Sequence, residues 1–152
     1  MPEIYVDGDA CPVKEEVLRV ATRHGLVVHM VSQQGLRLGI VSPRVRMVVV
    51  AKGADSADDW IVAHIQRGDV AVTADILLAG RCLELGARVV NPNGRLFDAD
   101  SIGMAIAMRD LTANLREIGQ MVGQSAAFTK QDRSRFLGTL ENAIQASLRG
   151  KP

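Results

Sequence analysis

The stretch Glu3–Gly25, EIYVDGDACPVKEEVLRVATRHG, decides how the rest of the chain is read. Its first five residues form a β-rich run that ends in an acid. Gly8 turns the chain. Pro12 suits a first helical position, where its missing N–H costs nothing and its fixed φ is already helical. Val13, Val17, Leu18 and Ala21 then share one face of a helix predicted over Val13–His24. Gly25 is placed to end it. The unit is strand, acidic turn, helix and stop.

Working outward, the same alternation continues. Strands are predicted at Leu26–Val31, Arg46–Ala51, Val70–Thr73 and Arg88–Val90, and helices at Ser56–Gln66 and Asp75–Leu85. The connection between the second and third strands exceeds the usual loop length, as functional loops often do. Strands separated by helices imply right-handed crossovers and a mostly parallel sheet covered on both faces. The expected fold class is therefore α/β, a single three-layer domain over residues 1–152 with a sheet of about five strands flanked by helices. Two longer helices, near 99–118 and 131–149, close the chain. Met104, Met108, Leu111, Leu115 and Ile118 form an apolar stripe on the first; Phe136, Leu140, Ile144 and Leu148 form one on the second. Core packing explains both stripes, and a homodimer contact through part of one is the alternative.

Composition narrows the classes. With 47% hydrophobic and 23% charged residues, the 152-residue chain is globular in character and large enough to bury a core. No apolar run approaches the ~18 residues of a membrane span. The opening MPEIYVDGDACP lacks the regions of a secretory signal, so a cytoplasmic protein with Cys11 and Cys82 reduced is expected. Net charge is only +1, yet four cations (Arg37, Arg44, Arg46, Lys52) and no acid lie between Ser32 and Ala54. Asp55, Asp58 and Asp59 follow at once. Such a basic stretch beside an acidic knot suits an anionic substrate held near a metal, although a solvated loop has the same pattern.

In open parallel sheets ligands bind beyond the carboxyl ends of the strands, and three of those ends carry acids here. Asp7 ends the first strand, with Asp9 close behind in DGDACP. The third strand leads into Asp55, Asp58 and Asp59, and Asp75 follows the fourth in TAD. Each has a plain alternative use. Asp55 or Ser56 can cap the helix that follows, with Asp58 in its first turn; Asp75 and Asp9 can cap theirs. Gathered on one edge, however, carboxylates ~5 Å apart repel by about 3 kcal/mol at an effective dielectric of about 20. A cation, a proton or a hydrogen-bond donor must relieve them. Oxygen-only donors favour Mg²⁺ or Mn²⁺, so Asp7, Asp9, Asp55, Asp58, Asp59 and Asp75 are the candidate ligands. Arg37, Arg44, Arg46, Lys52 and Arg81 are candidate phosphate contacts. His24, His29 and His64 lack ligand spacing, and His24 stands where a helix end offers carbonyls.

Four motifs, DGDACPVK, KGADSADDWI, GDVAVTADILLA and FTKQDRSRFL, occur in an order that resembles the YaiI/YqxD family across almost the whole chain. That family is assigned to the PIN-like superfamily, whose better-known members are metal-dependent nucleases. The resemblance implies a PIN-like fold and a site built from Asp7, Asp55 or Asp58, then Asp59, and Asp75. The chain departs from the pattern twice. GQSAAF at Gly123–Phe128 stands where relatives have GGP before the aromatic, and Ile76–Arg81 contain no further acid.

Three functions are then in contention. The first is a divalent-metal-dependent ribonuclease in which Asp7, Asp58 and Asp75 are catalytic, Mg²⁺ or Mn²⁺ is the cofactor and RNA the partner. Five aromatic residues (Tyr5, Trp60, Phe97, Phe128, Phe136) leave little scope for base stacking, so sequence preference is expected to be weak. The second is a PIN-like protein that binds RNA or metal without turnover. The third is a phosphatase, because IYVDGDA looks like the Asp-x-Asp signature of haloacid dehalogenase-type enzymes, with Asp7 as nucleophile and Asp9 as acid/base. Against it, Ala10 and Cys11 depart from that signature and the chain leaves no room for a cap domain.

Overall fold

Along Ile4–Asp7 (β1) the side chains of Ile4 and Val6 leave one side and that of Tyr5 the other, and all three are buried. A strand of this kind needs cover on both faces. The computed structural model describes residues 1–33, 43–53, 55–104, 107 and 128–150. After β1 come α1 (Lys14–His24), β2 (Val28–Ser32), β3 (Val45–Val49), α2 (Ser56–His64), β4 (Val70–Val72) and α3 (Ile76–Glu84). They are followed by β5 (Arg88–Val90), β6 (Leu96–Phe97), helical residues 99–104 and α4 (Lys130–Leu148).

The sheet has six strands in the order β3-β2-β1-β4-β5-β6. Strands β1 to β5 are parallel and β6 is antiparallel to β5. This is the expected three-layer α/β domain with one strand more than the alternation predicts, because two residues cannot display a period. On one face α1 and α4 pack over Ile4, Val6, Val28, Met30, Val70 and Val72. On the other, α2, α3 and Ile102 cover Tyr5, Val31, Ala71 and Val89.

Local chemistry sets the boundaries. Gly25 has φ 68° and donates its N–H to the carbonyls of Ala21 and Thr22, ending α1 as its position predicts. Helix α2 stops at His64 rather than Gln66, because Ile65 turns extended. Thr129 and Asp132 form a reciprocal capping box at the start of α4. Phe136, Leu140 and Ile144 are fully buried, whereas Leu148 is 42% exposed at the end of the stripe. The His24 ring pairs with a neighbouring helix: its Nε2 meets Glu141 Oε2 at 2.7 Å, tying α1 to α4. Arg133 makes a second tie, to the carboxylate of Glu16 at 3.0 and 3.1 Å. Met108, Leu111, Leu115, Ile118, Arg37 and the loop from Gly123 lie outside the described residues. Among the described residues no helix is long and apolar enough to cross a membrane.

Candidate functional site

Crossovers from the centre of this sheet run outward in both directions, to β2 and β3 on one side and to β4 and β5 on the other. The switch point therefore lies between β1 and β4, where a crevice opens at the carboxyl ends of the strands. Asp7 ends β1 on this line, and Thr73 follows β4 beside it. The buried Thr73 hydroxyl donates to Asp7 Oδ2 at 3.1 Å and accepts from the Asp75 amide at 3.0 Å. One hydroxyl thus links two of the predicted acids.

Asp75 caps α3. Its Oδ1 accepts from the amides of Leu77 and Leu78 at 2.9 and 3.2 Å, while Oδ2 bonds no described residue. The other caps suggested by the sequence do not form. Asp55 occupies the N-cap position of α2 without a side-chain bond. Asp9 lies in a short 3-10 turn over Gly8–Ala10 and accepts from the Gln33 amide with both oxygens, at 3.1 and 3.0 Å.

Burial and mutual repulsion define which acids act together. The half-buried Asp58 is pushed up to about 6 by desolvation first, then by Asp75, Asp7 and Asp55, with Arg81 opposing. Asp7 is also raised, by burial and then by Asp75 and Asp9, against the Thr73 hydrogen bond. Asp7, Asp58 and Asp75 are therefore one electrostatic unit drawn from three chain segments. Asp59 stands apart on the surface in an exposed pair with Arg81 at 3.0 Å.

Hard oxygen donors fit a cation such as Mg²⁺, but not as the six-carboxylate set the sequence suggests. Among the described residues no group of three or more His, Cys, Asp or Glu is arranged to hold a metal ion. Asp59 is turned to Arg81, Asp9 to Gln33, and half of Asp75 to its helix. The cations are also dispersed. Lys52 is exposed just beyond the carboxyl end of β3, but Arg44 precedes that strand and donates to the Gly25 carbonyl at 2.8 Å. That puts Arg44 about 16 Å along the strand from the carboxylate edge. Arg46 lies near the start of the edge strand β3, in register with His29. The thiols are buried and unreactive in character, with Cys11 pushed up to about 11 and Cys82 to about 12, chiefly by desolvation.

Comparison with known proteins now adds a family. The family described as "Uncharacterized BCR, YaiI/YqxD family" matches residues 5–146. The chain belongs to the YaiI/YqxD family. A UPF0178 protein of Mesorhizobium japonicum is 56% identical over 97% of this chain and 95% of its own. Others, from Parvibaculum lavamentivorans and Rhodospirillum rubrum, are 55% and 51% identical, over 100% and 98% of this chain and 99% of each relative. No solved structure matches.

Sequence reasoning missed two members of this candidate site. Thr73 was legible only as a strand end, though a hydroxyl two residues before a helix-capping acid is a signal. Gln33 follows β2 at the same edge; its amide holds Asp9 and its Nε2 donates to the Gly53 carbonyl at 2.6 Å, joining two of the site's loops. A cavity of about 960 Å³ also opens at the opposite, amino-terminal edge, between Arg67, Arg88, Phe97 and Leu148. It is remote from the carboxylates; of its two acids, Asp69 is bonded to the amides of Glu3 and Gln66 and Asp98 to that of Ser101.

Proposed function

We propose that the switch-point crevice is the active site of a divalent-cation-dependent phosphodiesterase acting on RNA. The carrying observation is the coupling of Asp7, Asp58 and Asp75: two of these acids are raised, and a bound cation would favour their charged forms. Mg²⁺ commonly keeps several waters and takes one or two carboxylates plus substrate phosphate oxygens, so a closed protein cage is not required. One or two of the carboxylates of Asp7, Asp58 and Asp75 would ligate it directly, with water in the remaining positions. When bound, such a cation polarises a phosphodiester and lowers the pKa of water.

The chain's own residues supply the rest of the mechanism. Thr73 fixes Asp7 from below through its hydroxyl. Gln33 holds the Asp9 turn against the Gly53 loop and keeps the crevice's wall in place. Lys52, beyond β3, supplies positive charge for a phosphate. The PIN-like resemblance of the four motifs supports the same reading. The phosphatase alternative is weaker, because its acid/base, Asp9, gives both oxygens to the Gln33 amide.

Two measurements test this. Asp7→Asn and Asp58→Asn are expected to abolish Mn²⁺-dependent cleavage of a labelled RNA, and cleavage equal to wild type would sink the reading. In carboxyl NMR, adding Mg²⁺ is expected to move the Asp58 titration well below its cation-free midpoint. RNA binding without cleavage, with or without metal, would favour the non-catalytic alternative.

A further inference from the structure

Strand register sets Tyr5, His29 and Arg46 side by side across β1, β2 and β3. Helix α2 packs over this row. The Tyr5 and His29 rings stack at 4.4 Å, Trp60 tilts against them at 6.1 and 5.9 Å, and His64 stacks on Trp60 at 3.9 Å. The Tyr5 hydroxyl donates to the His64 carbonyl at 3.2 Å, and His64 Nδ1 meets the Trp60 carbonyl at 2.7 Å. The first contact pins the end of α2 to β1, and the second holds the imidazole against the indole.

Core packing accounts for Tyr5 and His29, which are buried, but not for the outer layer. His64 is exposed, as is Arg46, which makes no ion pair with a described residue. Arg46 stands in register with His29, whose ring lies 5.9 Å from Trp60, and the Tyr5 hydroxyl donates to the His64 backbone carbonyl, which brings the end of α2 beside the same row. Two acids face the same row. Glu3 is held by His29 Nε2, and Asp69 by the amides of Glu3 and Gln66. The outer layer thus offers a stacking plane beside a cation that forms no ion pair among the described residues.

Resting on the phosphodiesterase reading, we propose that His64, backed by Trp60, and Arg46 form a binding surface for single-stranded nucleic acid. A base lies on the imidazole and a phosphate on the guanidinium. Helix α2 connects this surface to the chemistry, because Asp58 stands in its first turn, two residues before Trp60. Few aromatics occur in the chain, but two-ring stacking with histidine concentrates them at one place. One base position of this kind is sequence-tolerant, since every base has a stacking face.

Full-length Asp7→Asn protein, without divalent cation, is titrated with a fluorescent short oligoadenylate and with an abasic strand of the same length. Anisotropy and the emission of Trp60, the chain's one tryptophan, are read together. Binding is expected to quench Trp60. Arg46→Glu is expected to weaken both strands about tenfold and to lower the salt slope by about one. His64→Gln is expected to weaken oligoadenylate about tenfold and leave the abasic strand unchanged. Equal wild-type affinity for the two strands, or indifference to both substitutions, would overturn the proposal. The expected pattern in a protein whose wild type cuts no RNA would uphold this surface and remove the phosphodiesterase reading. Cleavage that needs Asp7 and Asp58 but ignores Arg46 and His64 would do the reverse.

Discussion

Asp58 shows at the scale of one residue how a functional group can work against the fold that carries it. Its ordinary value of 3.8 is raised to about 6 by burial and by Asp75, Asp7 and Asp55. Between those values the folded chain holds a proton that the unfolded chain has released. Stability therefore falls as pH rises through this window, and the full penalty is present above it. Asp58→Asn is expected to melt several degrees above wild type at pH 8 in cation-free buffer, and level with it near pH 4; equal melting at both values would contradict the assignment. Thr73 acts in the opposite sense. Thr73→Val keeps the shape but removes a buried hydroxyl that serves two groups, with an expected cost of about 1–3 kcal/mol in urea unfolding. It should also raise Asp7 further, since the lost hydrogen bond favours the carboxylate.

At the scale of elements, capping and ligand chemistry compete for the same side chains. The sequence marks Asp9, Asp55 and Asp75 alike as possible caps, because capping preference depends on residue type and position alone. Only Asp75 makes the bonds. Asp75→Ala is expected to cost about 1 kcal/mol through the loss of two amide contacts. Asp75→Asn keeps an acceptor for those amides and removes the charge that raises Asp7 and Asp58, so it should unfold close to wild type. Equal stability of the Ala and Asn variants in denaturant would show the cap to be unimportant. Strand ends and helix periods were readable because both are short-range patterns. The two-residue β6 and the Thr73 link were not, since neither has a repeat to betray it.

Across the whole molecule, α4 is the element that completes the apolar layer on one face of the sheet from distant segments. It brings Phe136, Leu140 and Ile144 onto the sheet and is tied to α1 by Arg133–Glu16 and His24–Glu141. Glu141 is lowered: burial opposes this, but hydrogen bonds from Gln145, His24 and Arg23 outweigh it. Its contribution is therefore present above the unfolded value and lost as pH falls through the folded one. Leu140, fully buried, is the sharper probe. Leu140→Ala should destabilise the domain by about 2–5 kcal/mol in one cooperative transition, whereas separate melting of α4 would show it to be an appendage. From sequence alone one could fix the alternation of strands and helices, the Gly25 stop, and the presence of Asp7 and Asp75 near strand ends, because these follow from local patterns along the chain. Only the tertiary structure decided that β1 lies beside β4, that Asp58 joins Asp7 and Asp75 while Asp59 leaves for Arg81, and that α2 lies over the Tyr5–His29–Arg46 row. Strand order and side-chain convergence depend on contacts between residues far apart in sequence, and no local pattern encodes them.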